Sequence, residues 1–225
     1  MVKNEIPNCF LDFDGTLVDN KFRLYQFFLD GLPQKYKNSL SIEEFWMLKR
    51  LGIHEIDWMN DKYKINISKE DWNRKKVELI ESEKYLSYER LFVYTKETLE
   101  ILKENYNLVL ITRRENRIGF EKEFDGFGLN TFFTNVFILS HDEKSKDEII
   151  KRKYNVNKYD IFVGDTEDDF LAGIKLGIRP FLVLSGIRSH WIIEKYGVKS
   201  KVFVINDIRE LINVRNDAEG NFSNG

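Results

Sequence analysis

The chain is poor in the residues that mark secreted, fibrous or linker-rich proteins. It has one cysteine, Cys9, so no internal disulfide can form, and such sparse cysteine use fits a reducing compartment. It has three prolines and no glycine-rich stretch, so nothing reads as an interdomain linker. It lacks a charge excess: 35 basic and 37 acidic residues leave a net charge of −2, which offers no field for nucleic acid or an anionic membrane. No apolar run approaches the ~20 residues that span a bilayer, and Met1 to Ile6 lack the apolar core of a signal peptide. We therefore expect a cytoplasmic protein with no nucleic-acid or membrane partner. Oligomeric state is not set by any of these features. What is present suits a folded core: 42% of residues are hydrophobic, and 225 residues allow one large domain or a core with a smaller attached unit.

Short apolar runs recur along the chain, at 8–13, 108–112, 136–139, 161–164, 181–184 and 202–205. Their β-branched and aromatic content reads as buried strands. Amphipathic, helix-length segments lie between most of them, at 95–105, 146–154 and 168–176, with Gly177 as a stop signal for the last. Strand alternating with helix predicts an α/β fold, a doubly wound parallel sheet. Residues 18–92 break the rhythm. They show helical patterns only: 21–32, a capping box at Ser41–Glu44 opening a helix through Leu51, and a second start at Ser68 running to about Tyr85. A helical unit is thus inserted after the first strand, with hinges near 18–20 and 87–94, able to close over the strand ends. The expected organisation is a core of 1–17 and 93–214, a helical cap of 18–92 and a frayed tail of 215–225. Trp46, Trp58 and Trp72 fall in the insert, where a small helical core needs large side chains. His54 has no partner at metal-like spacing and is not assigned a role.

The most telling stretch is Asp12-Phe13-Asp14-Gly15-Thr16, directly after the apolar run Cys9-Phe10-Leu11. Strand periodicity is two, so Asp12 and Asp14 leave the strand pointing the same way. Gly15 permits a sharp turn, which the Thr16 hydroxyl can tie. Two acids held together are costly without a cation or a proton between them. An inert acidic turn and a helix-loop-helix calcium loop are the alternatives. The calcium loop wants another acid or amide at position 16 and a helix before it, and neither is present.

Ligands of an open parallel sheet bind beyond the carboxyl ends of its strands. Asp12 and Asp14 end the first strand, Thr112 followed by Arg113-Arg114 ends another, and Asp165 to Asp169 follow a third. Lys144 and Lys146 precede a helix that should start on the same edge. Asp12, Asp14 and Asp165 offer hard oxygen ligands without histidine or cysteine, a set that selects magnesium. A carboxylate aimed at a magnesium-bound phosphate is a nucleophile for phosphoryl transfer, the role we give Asp12. Asp14 then serves as acid and base, with a raised pKa while that of Asp12 stays low. Thr112 and a lysine, Lys146 in preference to Lys144, hold the phosphoryl oxygens. Asp169 orients the lysine or a metal-bound water; Glu167 and Asp168 are solvated or support the site from behind. Arg113 is a candidate for an anionic substrate tail, as one of a pair.

With these four motifs in order, the chain resembles the haloacid dehalogenase superfamily of phosphohydrolases, over 8–17 and 91–213, and its insert resembles the helical cap of phosphoglycolate-phosphatase-like members. The resemblance implies Asp12 as nucleophile, Asp14 as acid and base, and magnesium on the Asp12 and Asp165 carboxylates and the Asp14 backbone carbonyl. The third motif lacks the prolines common in such members, so Lys144 and Lys146 both align with it. The expected activity is magnesium-dependent hydrolysis of a small phosphorylated metabolite through an aspartyl phosphate. A phosphomutase on the same scaffold and a non-catalytic binding module are the other readings, and a dehalogenase, which would not call for Asp14, is a weaker one. The insert carries no motif that names the substrate.

Overall fold

The computed structural model describes residues 6–214; the tail expected at 215–225 lies outside them. The chain opens with strand β1 (Asn8–Leu11) and a short strand β2 (Val18–Asp19). Five helices follow: α1 (Lys21–Gly31), α2 (Ile42–Arg50), α3 (Glu55–Tyr63), α4 (Lys69–Leu79) and α5 (Glu83–Leu86). The return strand β3 (Arg90–Leu91) then leads into α6 (Thr95–Leu102), β4 (Asn107–Arg113), α7 (Arg117–Gly126) and β5 (Asn135–Leu139). The last part comprises α8 (Lys146–Lys153), β6 (Ile161–Gly164), α9 (Glu167–Leu176), β7 (Arg179–Val183), α10 (Trp191–Lys195) and β8 (Phe203–Ile205).

Six strands form one parallel sheet in the order β5-β4-β1-β6-β7-β8, with Phe10 level with Val109 on one side and Phe162 on the other. Residues alternate between its faces, as a period of two requires. Cys9 and Leu11 of β1 join Ile161 and Val163 against Leu99, Phe120 and Phe124 of α6 and α7. Phe10 and Phe162 face the opposite way, with Ile150, Ala172 and Leu176 of α8 and α9. Helices thus cover both faces, and the doubly wound α/β fold is present. The winding direction reverses at β1, which lies between β4 and β6, so a crevice opens above the carboxyl end of β1.

β2 and β3 pair antiparallel, Val18 with Leu91 and Asp19 with Arg90, so the chain leaves and re-enters the sheet side by side. The five helices between them build their own apolar cluster. Trp72 is buried there with Phe27, Phe28 and Phe45, while Trp46 and Trp58 pack at its margin. Ser41 closes its capping box, its hydroxyl accepting from Glu44 N and its amide donating to the Glu44 carboxylate. His54 caps α3, its Nδ1 accepting from Ile56 N at 3.2 Å, which accounts for it structurally. The helix expected to continue to Tyr85 stops at Leu79. The chain turns there because the Glu81 carboxylate accepts from Asn116 N at 2.7 Å and its carbonyl from Asn116 Nδ2 at 2.8 Å, drawing it onto α7. The insert also docks at its other end. Arg50 donates to the carbonyls of Leu184 and Gly186, and Ser189 and Trp191 donate to the Arg50 carbonyl. Among the described residues no helix is long and apolar enough to cross a membrane.

Glu55 is buried inside the insert, accepting from Lys49 Nζ at 2.9 Å and Trp72 Nε1 at 3.3 Å. Burial pushes its carboxyl up, but Lys49 and Lys76 outweigh this and hold it at about 2. A depressed carboxyl stabilises the fold above its unfolded pKa, and that contribution fades as the pH drops toward the folded value. Glu55→Gln should therefore lower unfolding free energy by roughly 2–3 kcal/mol at pH 7. The difference from wild type should shrink between pH 4.5 and about 2, measured by urea titration at each pH.

Candidate active site

The loop after β1 is shaped by backbone bonds. Gly15 N donates to Val18 O at 2.8 Å and Leu17 N to Phe13 O at 2.9 Å, with Gly15 at φ +71°. Here the expectation for Thr16 fails: its hydroxyl is buried without a hydrogen-bond partner among the described residues, because the main chain already closes the turn. Asp12 N donates to Val163 O at 2.9 Å, extending the ladder by one residue and bringing Asp12 beside the end of β6.

Three carboxylates converge there. Asp12, Asp165 and Asp169 offer oxygens within 4.8 Å of one another, all buried. Lys146, at the first turn of α8, enters between them, with Nζ 2.7 Å from Asp12 Oδ1 and 2.6 Å from Asp169 Oδ1. Lys144 is exposed, so Lys146 is the lysine of the site. Asp169 also closes the capping box of α9, accepting from Thr166 N and Oγ1, which fixes the carboxylate that holds Lys146. Thr112, buried at the end of β4, completes the strand-end set on the other flank of β1. The fold thus brings Asp12, Thr112, Lys146 and Asp165 to one edge.

Charge balance shows what this cluster fits. Burial lowers the Lys146 ammonium, but Asp12 and Asp169 outweigh this and raise it, so it stays charged. Burial pushes Asp12 up to about 7, with Asp169 and Asp14 acting the same way against Lys146. Asp165 is driven well above the ordinary carboxylate range by burial and by Asp12 and Asp169, against one bond from Ile187 N at 2.6 Å. One ammonium does not balance three buried carboxylates. A divalent cation of hard character on the Asp12 and Asp165 oxygens would.

The backbone is cut to fit Asp165. A Cβ on Gly186 would lie 2.0 Å from Asp165 Oδ2 and 2.3 Å from its Cβ, so the loop after β7 tolerates only glycine there. Gly186→Ala should displace the carboxylate. We expect about a 100-fold loss of activity and loss of any magnesium-induced rise in melting temperature, read by thermal denaturation with and without the ion.

Asp14 departs from expectation. Its side chain lies outside the acid cluster, on two arginines. Arg114 Nε and Nη2 donate to it at 2.7 and 2.8 Å, and Arg23 Nη2, from α1, at 3.0 Å. Burial raises its carboxyl, but Arg114 and Arg23 outweigh this and hold it at about 2. The raised Asp14 and low Asp12 read from the sequence are therefore reversed, because the sequence does not show where the arginines reach. Arg113 is the second correction. Its guanidinium lies on Asp168 at 3.1 Å and the carbonyls of Ser140 and Lys144, not on the acids. Its neighbour Arg114 turns inward instead, also reaching Glu89 at 3.0 Å and Glu123 at 3.3 Å. Burial pushes Glu89 well above the ordinary range despite the pull of Arg23, with Asp14 raising it further. Sequence reasoning passed over Arg23, Glu89 and Glu123, which no spacing links to Asp14.

The family model described as haloacid dehalogenase-like hydrolase matches residues 9–183, which takes in the strand ends that carry Asp12, Thr112 and Asp165, together with Lys146. The chain belongs to this family. Solved structures of haloacid dehalogenase-like proteins share its fold. A protein from Clostridium difficile assigned as a phosphatase superposes with a TM-score of 0.66 at 22% identity, over 93% of this chain and 100% of that one. A predicted phosphoglycolate phosphatase from Haemophilus somnus 129PT gives 0.63 at 20% identity, over 94% and 98%. YfnB from Bacillus subtilis, assigned as a HAD-hydrolase, bound to magnesium and described as revealing interdomain movement, gives 0.60 at 15% identity, over 95% and 100%. No match was found among curated proteins. As a haloacid dehalogenase-like hydrolase, the chain is an enzyme of hydrolytic class, with an acid cluster suited to a metal ion at the sheet edge.

Proposed function

We propose that this protein is a magnesium-dependent phosphatase acting on a small phosphorylated metabolite. The observation that carries the reading is the convergence of Asp12 after β1, Asp165 and Asp169 after β6, and Lys146 at the start of α8 into one buried cluster. Asp12 and Asp165 would hold magnesium, which when bound supplies charge neutralisation for an incoming phosphate.

Asp12 attacks the phosphorus through a carboxylate oxygen, forming an aspartyl phosphate as the bond to the ester oxygen breaks. Lys146 donates to the phosphoryl oxygens, and Thr112, on the adjacent strand, supplies a hydroxyl donor. Water then attacks the phosphorus, releasing phosphate and restoring the Asp12 carboxylate. Asp14 is the acid and base of both steps. Held by Arg114 and Arg23 it is a poor proton donor, so it acts once its carboxylate leaves them. Arg23 rides on the helical insert, so movement of the insert, acting as a cap, would remove that contact, while release from Arg114 on the core requires the Asp14 side chain itself to swing away.

The test is release of phosphate from p-nitrophenyl phosphate and a broad panel of phosphorylated metabolites. Turnover with magnesium that stops on adding EDTA is the expected result. No release from any ester by magnesium-loaded protein overturns the reading.

A further inference from the structure

Three cations of the helical insert, Arg23, Lys49 and Lys76, are grouped with a fourth, Arg188, from the loop after β7 of the core. Arg23 on α1 reaches Asp14 directly. Arg188 follows the loop that caps Asp165, and its guanidinium forms a two-pronged pair with Glu167 at 2.7 and 2.9 Å. Lys49 on α2 pairs with Glu55 on α3. Lys76, on α4, lies within electrostatic reach of the other three and of Glu55. Three of the four have a carboxylate of their own: Asp14 and Glu89 for Arg23, Glu55 for Lys49, Glu167 for Arg188. The Lys76 ammonium has neither a hydrogen bond nor an ion pair among the described residues, although the residue is half-buried.

An ammonium in that setting is unfavourable. Burial and Lys49 push its pKa down to about 8, Arg23 and Arg188 act the same way, and only Glu55 opposes them. Arg23 shows the same surplus of donors: it is 5% exposed, and its Nη1 meets no acceptor among the described residues. The position of this surplus is informative. Arg23 lies against Asp14, and Ile187, next to Arg188, donates to Asp165 and packs on the apolar cluster of the insert. Lys76 is thus within electrostatic reach of one arginine that touches Asp14 and of another that follows the loop on Asp165, which puts it on the insert's side of the site.

We propose that Lys76, with Arg23 and Lys49 beside it, is a second anion subsite that selects phosphomonoesters carrying another negative group, a carboxylate or a second phosphate. The ester's far anion would supply the counter-charge that Lys76 lacks, and a neutral tail would leave the ammonium desolvated and unpaired. This inference rests on the phosphatase reading for its substrate, and its test is built to separate the two.

Matched pairs differ only in the far group: 3-phosphoglycerate against glycerol 3-phosphate, and propane-1,3-diol bisphosphate against propyl phosphate. With magnesium-loaded full-length protein, we expect kcat/KM to favour the anionic member of a pair by about tenfold or more. Whichever anionic member is preferred identifies carboxylate or phosphate as the tail. Lys76→Met should raise KM for that ester far more than kcat falls, and Lys76→Arg should restore most of the preference. Isothermal titration with 3-phosphonopropionate and propylphosphonate needs no turnover. Tighter binding of the carboxylate that is lost in Lys76→Met supports the subsite even if every ester resists hydrolysis, an outcome that would sink the phosphatase reading alone. Equal binding of both ligands together with no preference within either ester pair, or an equal loss of both ligands in Lys76→Met, overturns the subsite.

Discussion

Replacing Asp12 with asparagine is expected to abolish turnover while leaving the protein folded and no less stable. The loss should reach at least about 10⁴-fold in kcat, because an amide cannot attack phosphorus as a carboxylate does. Stability behaves differently. Asp12, Asp165 and Asp169 share one ammonium, and burial already drives Asp12 to about 7. Removing one charge from a crowded buried set relieves repulsion, so the melting temperature without magnesium should stay level or rise. Any stabilisation that magnesium gives the wild-type protein should fall sharply, since one of the two carboxylates proposed to hold it is gone. Phosphate release, thermal denaturation and magnesium titration together check this. Near-normal turnover would remove Asp12 as nucleophile. A large drop in stability would mean that the Asp12–Lys146 bond outweighs the repulsion.

Arg114→Met is expected to be the most damaging change to stability. Arg114 is 3% exposed and touches three acids, Asp14, Glu89 and Glu123, while its guanidinium carbon stands 5.5 Å from the Phe13 ring centre. Without it Arg23 alone faces the group, and buried carboxylates without a partner cost about 3–5 kcal/mol. Urea denaturation at pH 7 should show a loss of that size. Arg114→Lys should lie between, since an ammonium keeps the charge but not the two-pronged geometry on Asp14. A loss below about 1 kcal/mol for Arg114→Met would show that the acids find compensation by protonation or by water.

How far the sequence carried the reading differs from residue to residue. The pair Asp12 and Asp14 was legible because apolar strand residues run straight into it, and strand alternation sets both acids on one side. The same alternation was the signal for Arg114. β4 includes Arg113, and Arg114 continues its ladder by donating to Leu139 O, so Thr112 and Arg114 share a side and Arg113 faces the other. Lys146 could not be told from Lys144 by spacing, because the two lie two residues apart at the approach to α8 and only the exact helix start, at Lys146, decides which ammonium points inward. The reversed electrostatics of Asp12 and Asp14 lay beyond the sequence for a different reason. Asp12 is raised by burial, and Asp14 is held low by Arg114 and by Arg23, which reaches it from the insert through packing that no local pattern encodes. The strands showed clearly as apolar runs, whereas α3 and α7 were missed because their apolar residues are few and widely spaced.

The paired strands β2 and β3 have a consequence for how such a protein can diversify. Val18 stands opposite Leu91, so more than seventy residues start and finish at adjacent points on the rim of the sheet. Phe92 N and Thr95 Oγ1 both anchor to Leu17 O just below, which isolates the hydrogen-bonded sheet from whatever is looped out above. Lengthening, trimming or exchanging that loop leaves every strand register in place. The segment is a cassette that can be rewritten without moving the strand ends that carry Asp12, Thr112 and Asp165, and its tie to Asp14 runs through Arg23.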